Sequence, residues 1–123
     1  MSMAEFESAG SEVLDPEQLT AVCGGDRSFE EMVIGEFRES TLAALRNLDA
    51  AIEARDAVRT KAVAHGIKGS AATLGGQALA SICRLLEQAS AAPDWNQAAE
   101  LARAAHAGYA ELDAALTAHL AAG

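Results

Sequence analysis

His65, Lys68 and Gly69 are the residues of this chain whose types and spacing point most directly to chemistry. They lie in the run His65-Gly66-Ile67-Lys68-Gly69-Ser70, inside a segment patterned as an amphipathic helix. Positions three and four apart are neighbours on a helix, so Lys61, Lys68 and Gly69 surround the imidazole. A neutral imidazole nitrogen, with a reference pKa of about 6.5, is a nucleophile near neutral pH; it can take a phosphoryl group as a phosphoramidate that is easily passed onward. Lys68 would neutralise charge on the equatorial oxygens. At roughly 4 Å in a half-solvated setting that attraction is on the order of 4 kcal/mol before desolvation is subtracted. Gly69 and Ala72 keep the neighbouring surface low, so another protein's active site can come close. The arrangement is one for handling phosphate.

Other chemistry finds little support. His106 and His119 lie on different sides of the last helical segment without a lysine-glycine neighbourhood, and read as ordinary surface residues. No Glu-x-x-His precedes any histidine, and no zinc-protease motif, P-loop or dinucleotide fingerprint occurs; no metal ligands and no cofactor are expected. Cys23 and Cys83 match no zinc or thioredoxin spacing and read as buried thiols of a reducing compartment.

The elements that must position His65 are helical. Alanine supplies about a quarter of the 123 residues and only two prolines occur, a composition that favours helices throughout. Residues 1–13 lack periodicity and are expected to form a loose leader, with the folded domain spanning 14–123. Asp15 caps a short helix with Pro16 at its first position, and Gly24-Gly25 stop it. Asp26 or Ser28 caps a longer one, Ser28 and Glu31 being spaced as a capping box, with an inward stripe Phe29, Val33, Phe37, Thr41, Leu45, Leu48, Ile52. Asp56 caps the third, with Val63, Ile67, Ser70 and Leu74 inward and Lys61, His65, Lys68, Gly69 and Ala72 outward; Gly75-Gly76 end it. A fourth, from about Gln77 to Ser90, turns Leu79, Ile82, Cys83 and Leu86 inward. The last follows a cap at Asp94, with Trp95 and Tyr109 on its apolar stripe. The fold class is therefore all-α: an up-and-down four-helix bundle with a short additional N-terminal lid helix.

A net charge of −9 argues against nucleic acid or an anionic membrane as partner. Between positions 55 and 84, however, Arg55, Arg59, Lys61, Lys68 and Arg84 face a lone Asp56, so the zone around His65 is positive within a negative chain. With Glu5 and Glu7 where a signal peptide carries basic residues, the expectation is a cytoplasmic protein.

The stretch Ala64-His65-Gly66-Ile67-Lys68-Gly69-Ser70-Ala71-Ala72-Thr73-Leu74-Gly75, followed by Leu79-Ala80-Ser81-Ile82-Cys83-Arg84-Leu85-Leu86-Glu87, resembles the histidine-containing phosphotransfer (HPt) domains of two-component phosphorelays. The resemblance covers the helix order from about Asp15 to the end. It implies a four-helix bundle whose histidine accepts a phosphoryl group from a receiver aspartate and passes it to another. Position by position, it implies His65 as phosphorylation site, Lys68 as charge neutraliser, Gly69 as clearance position and Gly75 as the glycine closing the turn. It also implies partners that are receiver domains of response regulators or hybrid histidine kinases, with magnesium on the receiver only. Some members carry a glutamine one helix later that assists at the histidine. The matching position here is Glu87, which reads as a solvated helix residue with its role open.

The chain lacks room for an ATP-binding domain, so it is expected to be a phosphotransfer intermediate without kinase activity of its own, and a monomer. Docking is expected to use apolar residues on the outer faces of the second and third helices, Ile34, Leu42 and Val58, together with Lys61 and Ala72. The acidic residues Glu30, Glu31, Glu36 and Glu39 read as a wet helix face. The alternative function is a helical adaptor that binds a signalling partner without being phosphorylated.

Overall fold

A computed structural model describes residues 12–122; most of the expected leader lies outside them. The described residues form five helices: α1 (Pro16–Cys23), α2 (Arg27–Glu53), α3 (Ala57–Leu74), α4 (Gln77–Ala89) and α5 (Trp95–Ala122). α2 packs on α3, α3 on α4, α4 on α5 and α5 back on α2, while α1 lies across α2 and α3. This closed ring in chain order is the expected up-and-down bundle with a short N-terminal helix.

Local chemistry sets the helix ends. Asp15 accepts the amides of Glu17 and Gln18 at 3.1 and 3.2 Å, Asp56 accepts that of Arg59 at 3.0 Å, and Asp94 those of Asn96 and Gln97. Each carboxylate satisfies amides that have no partner within their own helix. At α2 the cap is Asp26, which accepts the amide of Phe29 at 3.1 Å. Ser28 therefore falls inside the first turn, and the Ser28/Glu31 capping box is not the start of this helix. Gly75 closes α3 with φ of 88°, a left-handed conformation suited to glycine. Its carbonyl accepts the Asp15 amide at 2.8 Å, and a Cβ there would stand 2.6 Å from the Asp15 oxygen. The Glu12 carbonyl accepts the Ala78 amide at 2.8 Å, and Val13 and Leu14 pack on the core. These contacts tie the chain before α1 to the α3–α4 turn.

The core takes Ile34, Phe37, Leu45 and Leu48 from α2, Ile67 and Leu74 from α3, Leu79, Ile82, Cys83 and Leu86 from α4, and Leu101, Tyr109, Leu112 and Leu116 from α5. A fully buried leucine such as Leu45 contributes about 1.5–3 kcal/mol. Two stripes differ from the sequence expectation. On α2 the buried line runs through Glu30, Ile34, Phe37, Thr41, Leu45, Leu48 and Ala51, so Phe29 is exposed, and Val33 and Ile52 only half-buried. The stripe starts one residue later than expected because it admits a glutamate. Glu30 is buried and its Oε1 lies 2.8 Å from Nε2 of His119 on α5, which supplies the partner a buried carboxylate requires. Glu30 is thus no part of a wet face. Ile34 is fully buried and unavailable for docking.

On α3 the buried line is Thr60, Ala64, Ile67, Ala71 and Leu74, while Val63 is half-buried and Ser70 exposed. Small alanines take the inward positions and let the neighbouring helices approach closely, a feature that a search for large apolar residues passes over. On α5 Tyr109 is buried but Trp95, at the helix start, only half-buried. Both cysteines are free and buried. Burial first, and the charge of Glu87 second, push the Cys83 thiol up to about 12, with Lys68 opposing. No helix among the described residues is long and apolar enough to cross a membrane.

Candidate functional site

The burial of Ala64 and Ile67 turns the positions between and around them outward, and His65 stands on that outer face of α3 with 70% of its side chain exposed. Spacings of three, four, three and four residues place Val58, Lys61, His65, Lys68 and Ala72 along one side of the helix. Val58, Lys61 and Ala72 are all exposed. At Gly66 and at Gly69 an added Cβ would meet nothing within 4 Å, so the space beside the ring is open. The Thr73 hydroxyl donates to the Gly69 carbonyl at 2.9 Å.

The group that organises the site comes from the next helix. Glu87 on α4 places Oε2 3.2 Å from Nδ1 of His65 and Oε1 2.5 Å from Nζ of Lys68. The Lys68 contact is a close approach of opposite charges, off the angle of an aligned hydrogen bond. The Glu87 side chain is only 14% exposed, so it is not a solvated helix residue. The Lys68 ammonium holds its carboxyl below the usual carboxylate range; burial opposes this and His65 adds to it. An ionised carboxylate only accepts hydrogen bonds. Nδ1 of His65 therefore carries a proton and donates it to Glu87, and in the neutral ring the lone pair sits on Nε2, the nitrogen not engaged by Glu87.

Of the sequence-assigned residues, α3 brings His65, Lys68, Gly69, Lys61, Ala72 and Val58 to one side. Leu42 on α2 is 44% exposed. Ile34 is sealed in the core, as above. Three further apolar residues are exposed, Val22, Phe29 and Met32; Phe29 was expected on the inward stripe, and none of the three was among the expected docking residues. A groove between α2 and α3, lined by Val33, Phe37, Ser40, Gly69, Ser70 and Thr73, runs beside the clearance position. A buried stripe drawn one residue later would have exposed Phe29 and Met32 in the sequence itself.

The remaining histidines serve the bundle. Nε2 of His106 lies 2.9 Å from Oδ2 of Asp49, and Nε2 of His119 2.8 Å from Glu30; both pairs join α5 to α2. The Arg27 guanidinium donates to the His119 carbonyl at 3.4 Å, strengthening the same end of the bundle.

Comparison with solved structures gives the histidine-containing phosphotransfer protein B (HptB) from Pseudomonas aeruginosa PAO1, with a TM-score of 0.84 over 93% of this chain and 99% of that one at 22% identity. At that identity the likeness establishes the fold. Comparison with curated proteins finds no match. The family model of the Hpt domain matches residues 32–122, a stretch that takes in most of α2 and all of α3, α4 and α5. The chain belongs to the Hpt domain family, whose members serve histidine phosphotransfer in phosphorelays.

Proposed function

We propose that this chain accepts a phosphoryl group on His65 from the aspartyl phosphate of a receiver domain and passes it to the aspartate of another. One observation carries the reading: a largely exposed imidazole flanked by the Lys68 ammonium and by open space at Gly69. Nε2 attacks phosphorus, the P–O bond to the receiver aspartate breaks, and the P–N bond forms as the carboxylate leaves. Lys68 offsets charge on the transferring oxygens. The receiver supplies the magnesium ion and the aspartate, and this chain needs no metal or cofactor of its own. It acts in the cytoplasm as a monomer without ATP-dependent kinase activity. Leu42, Val58, Lys61 and Ala72 form the docking surface, with exposed Met32 as an addition.

The test is incubation with a phosphorylated receiver. Acid-labile, base-stable label should appear on this chain and be absent from His65→Gln. A stable complex that leaves this chain unlabelled would replace the proposal with the adaptor reading.

A further inference from the structure

Among the described residues a positive φ occurs at Gly24, Gly25, Gly75 and Arg55. Arg55, at φ of 55°, is the one of these with a Cβ, which that conformation crowds against the backbone. It stands in the turn between α2 and α3. There its amide donates to the Ile52 carbonyl at 3.0 Å and the Asp56 amide to the Ala51 carbonyl at 2.9 Å, the pattern that ends a helix on a left-handed residue, most often glycine. A cation in this place gains from the dipole of α2, but the gain is smaller than the steric cost of the conformation. Local stability therefore favours glycine. The side chain does not offset the cost by contact either: it is exposed, and among the described residues its guanidinium forms no ion pair, although Glu53 and Asp56 are close in the chain. The Asp56 carboxylate is engaged in capping α3.

The surroundings point to a partner. Val58, one turn ahead, is 82% exposed, and Arg59 and Lys61 next to it are exposed and, among the described residues, not ion-paired. An apolar residue ringed by free cations has the make-up of an interface edge. At about 1.5 Å per residue, Ala57 at the start of α3 lies about 12 Å from His65 along the axis. A partner covering about 800 Å², a disc of roughly 16 Å radius centred on His65, reaches that end of the helix. A receiver that holds magnesium beside its aspartate presents carboxylates on the face it turns to His65. Resting on the assignment of His65 as the phosphoryl acceptor, we infer that Arg55, together with Arg59, is a specificity-determining pair that draws in receivers carrying carboxylates out to the edge of that face, and that an arginine occupies the left-handed position for this purpose and not for the fold. A charge at the rim of an interface acts on the rate of encounter and on its salt dependence more than on dissociation. The remainder of the chain is acidic and repels the same surface, so the cations at this end of α3 also orient the approach.

The experiment uses the full chain and a receiver domain that passes label to His65. Stopped-flow association and dissociation rates with the unphosphorylated receiver are compared for wild type, Arg55→Gly, Arg55→Lys and the double variant Arg55→Gly/Arg59→Gln. Two salt concentrations are used, about 0.01 M and about 1 M, at which charges act over about 30 Å and about 3 Å. Melting temperatures are taken on the same preparations. Arg55→Gly should melt at or above wild type yet associate about threefold more slowly at low salt, and the double variant on the order of tenfold more slowly. Arg55→Lys should keep the wild-type rate. At high salt the rates should converge, with dissociation altered less than about twofold throughout. Arg55→Gly melting below wild type would show the arginine kept for the fold. That result, equal association rates at low salt, or a loss that survives high salt overturns the inference while leaving His65 as acceptor. Failure of every receiver to label His65 would instead overturn the acceptor assignment on which the inference rests.

Discussion

Nζ of Lys68 lies 2.5 Å from Oε1 of Glu87, so the cation one turn from His65 is already engaged in the unphosphorylated protein. A phosphoryl group arriving on Nε2 competes with Glu87 for that ammonium. The charge contact spans two helices, and its loss has separable effects on chemistry and on fold.

Lys68→Ala should slow phosphoryl transfer by roughly 10- to 100-fold, corresponding to about 1.4–2.7 kcal/mol of lost charge stabilisation in the transition state. The fold should persist, because the side chain is outside the core. Rapid-quench transfer assays beside thermal unfolding measure both; an unchanged transfer rate removes the role assigned to the cation.

Gly69→Arg should separate docking from stability. A Cβ at Gly69 meets nothing within 4 Å, and replacing glycine inside an exposed helix with a good helix former adds about 0.5–1 kcal/mol. Melting temperature should hold or rise while receiver affinity falls at least tenfold. Calorimetric binding and unfolding scans on one preparation check the ordering, and tight binding by the variant contradicts the clearance role.

Gly75→Ala should destabilise the bundle by about 1–3 kcal/mol, since a side chain at φ of 88° is strained and its Cβ would press on the Asp15 carbonyl at 2.6 Å. Urea unfolding should show the midpoint shifted downward with the slope unchanged. A neutral result would mean that the α3–α4 turn and the chain before α1 yield easily.

The pH dependence of stability follows from Glu87. Lys68, the largest cause, depresses the carboxyl in the folded state, so its contribution is fully present above the unfolded value of about 4.3 and is lost as pH falls through the lower folded value. Wild type should therefore melt above Glu87→Gln at neutral pH, with the gap closing only once the solution is more acidic than about pH 4.3. Melting curves across that window decide it; a gap independent of pH places the stabilisation elsewhere.

The sequence by itself determined what short-range geometry controls. Three- and four-residue spacings put His65, Lys68 and Gly69 together on one helix face, Asp15, Asp56 and Asp94 cap their own helices, and Gly75 ends α3. Each of these depends on atoms within a turn or two of backbone, and the alternation of such segments was enough to read an all-α bundle and its family resemblance. Tertiary structure decided what depends on the rotation of one helix against another. Glu30 entered the α2 stripe because His119, 89 residues along the chain, meets its carboxylate; that rotation buried Ile34 and exposed Phe29. Glu87 became part of the site because α4 packs against α3 in a register that brings its two oxygens to His65 and Lys68. No local pattern distinguishes such a glutamate from a solvated one, since its partners lie 22 and 19 residues away and only the closed bundle brings them within reach.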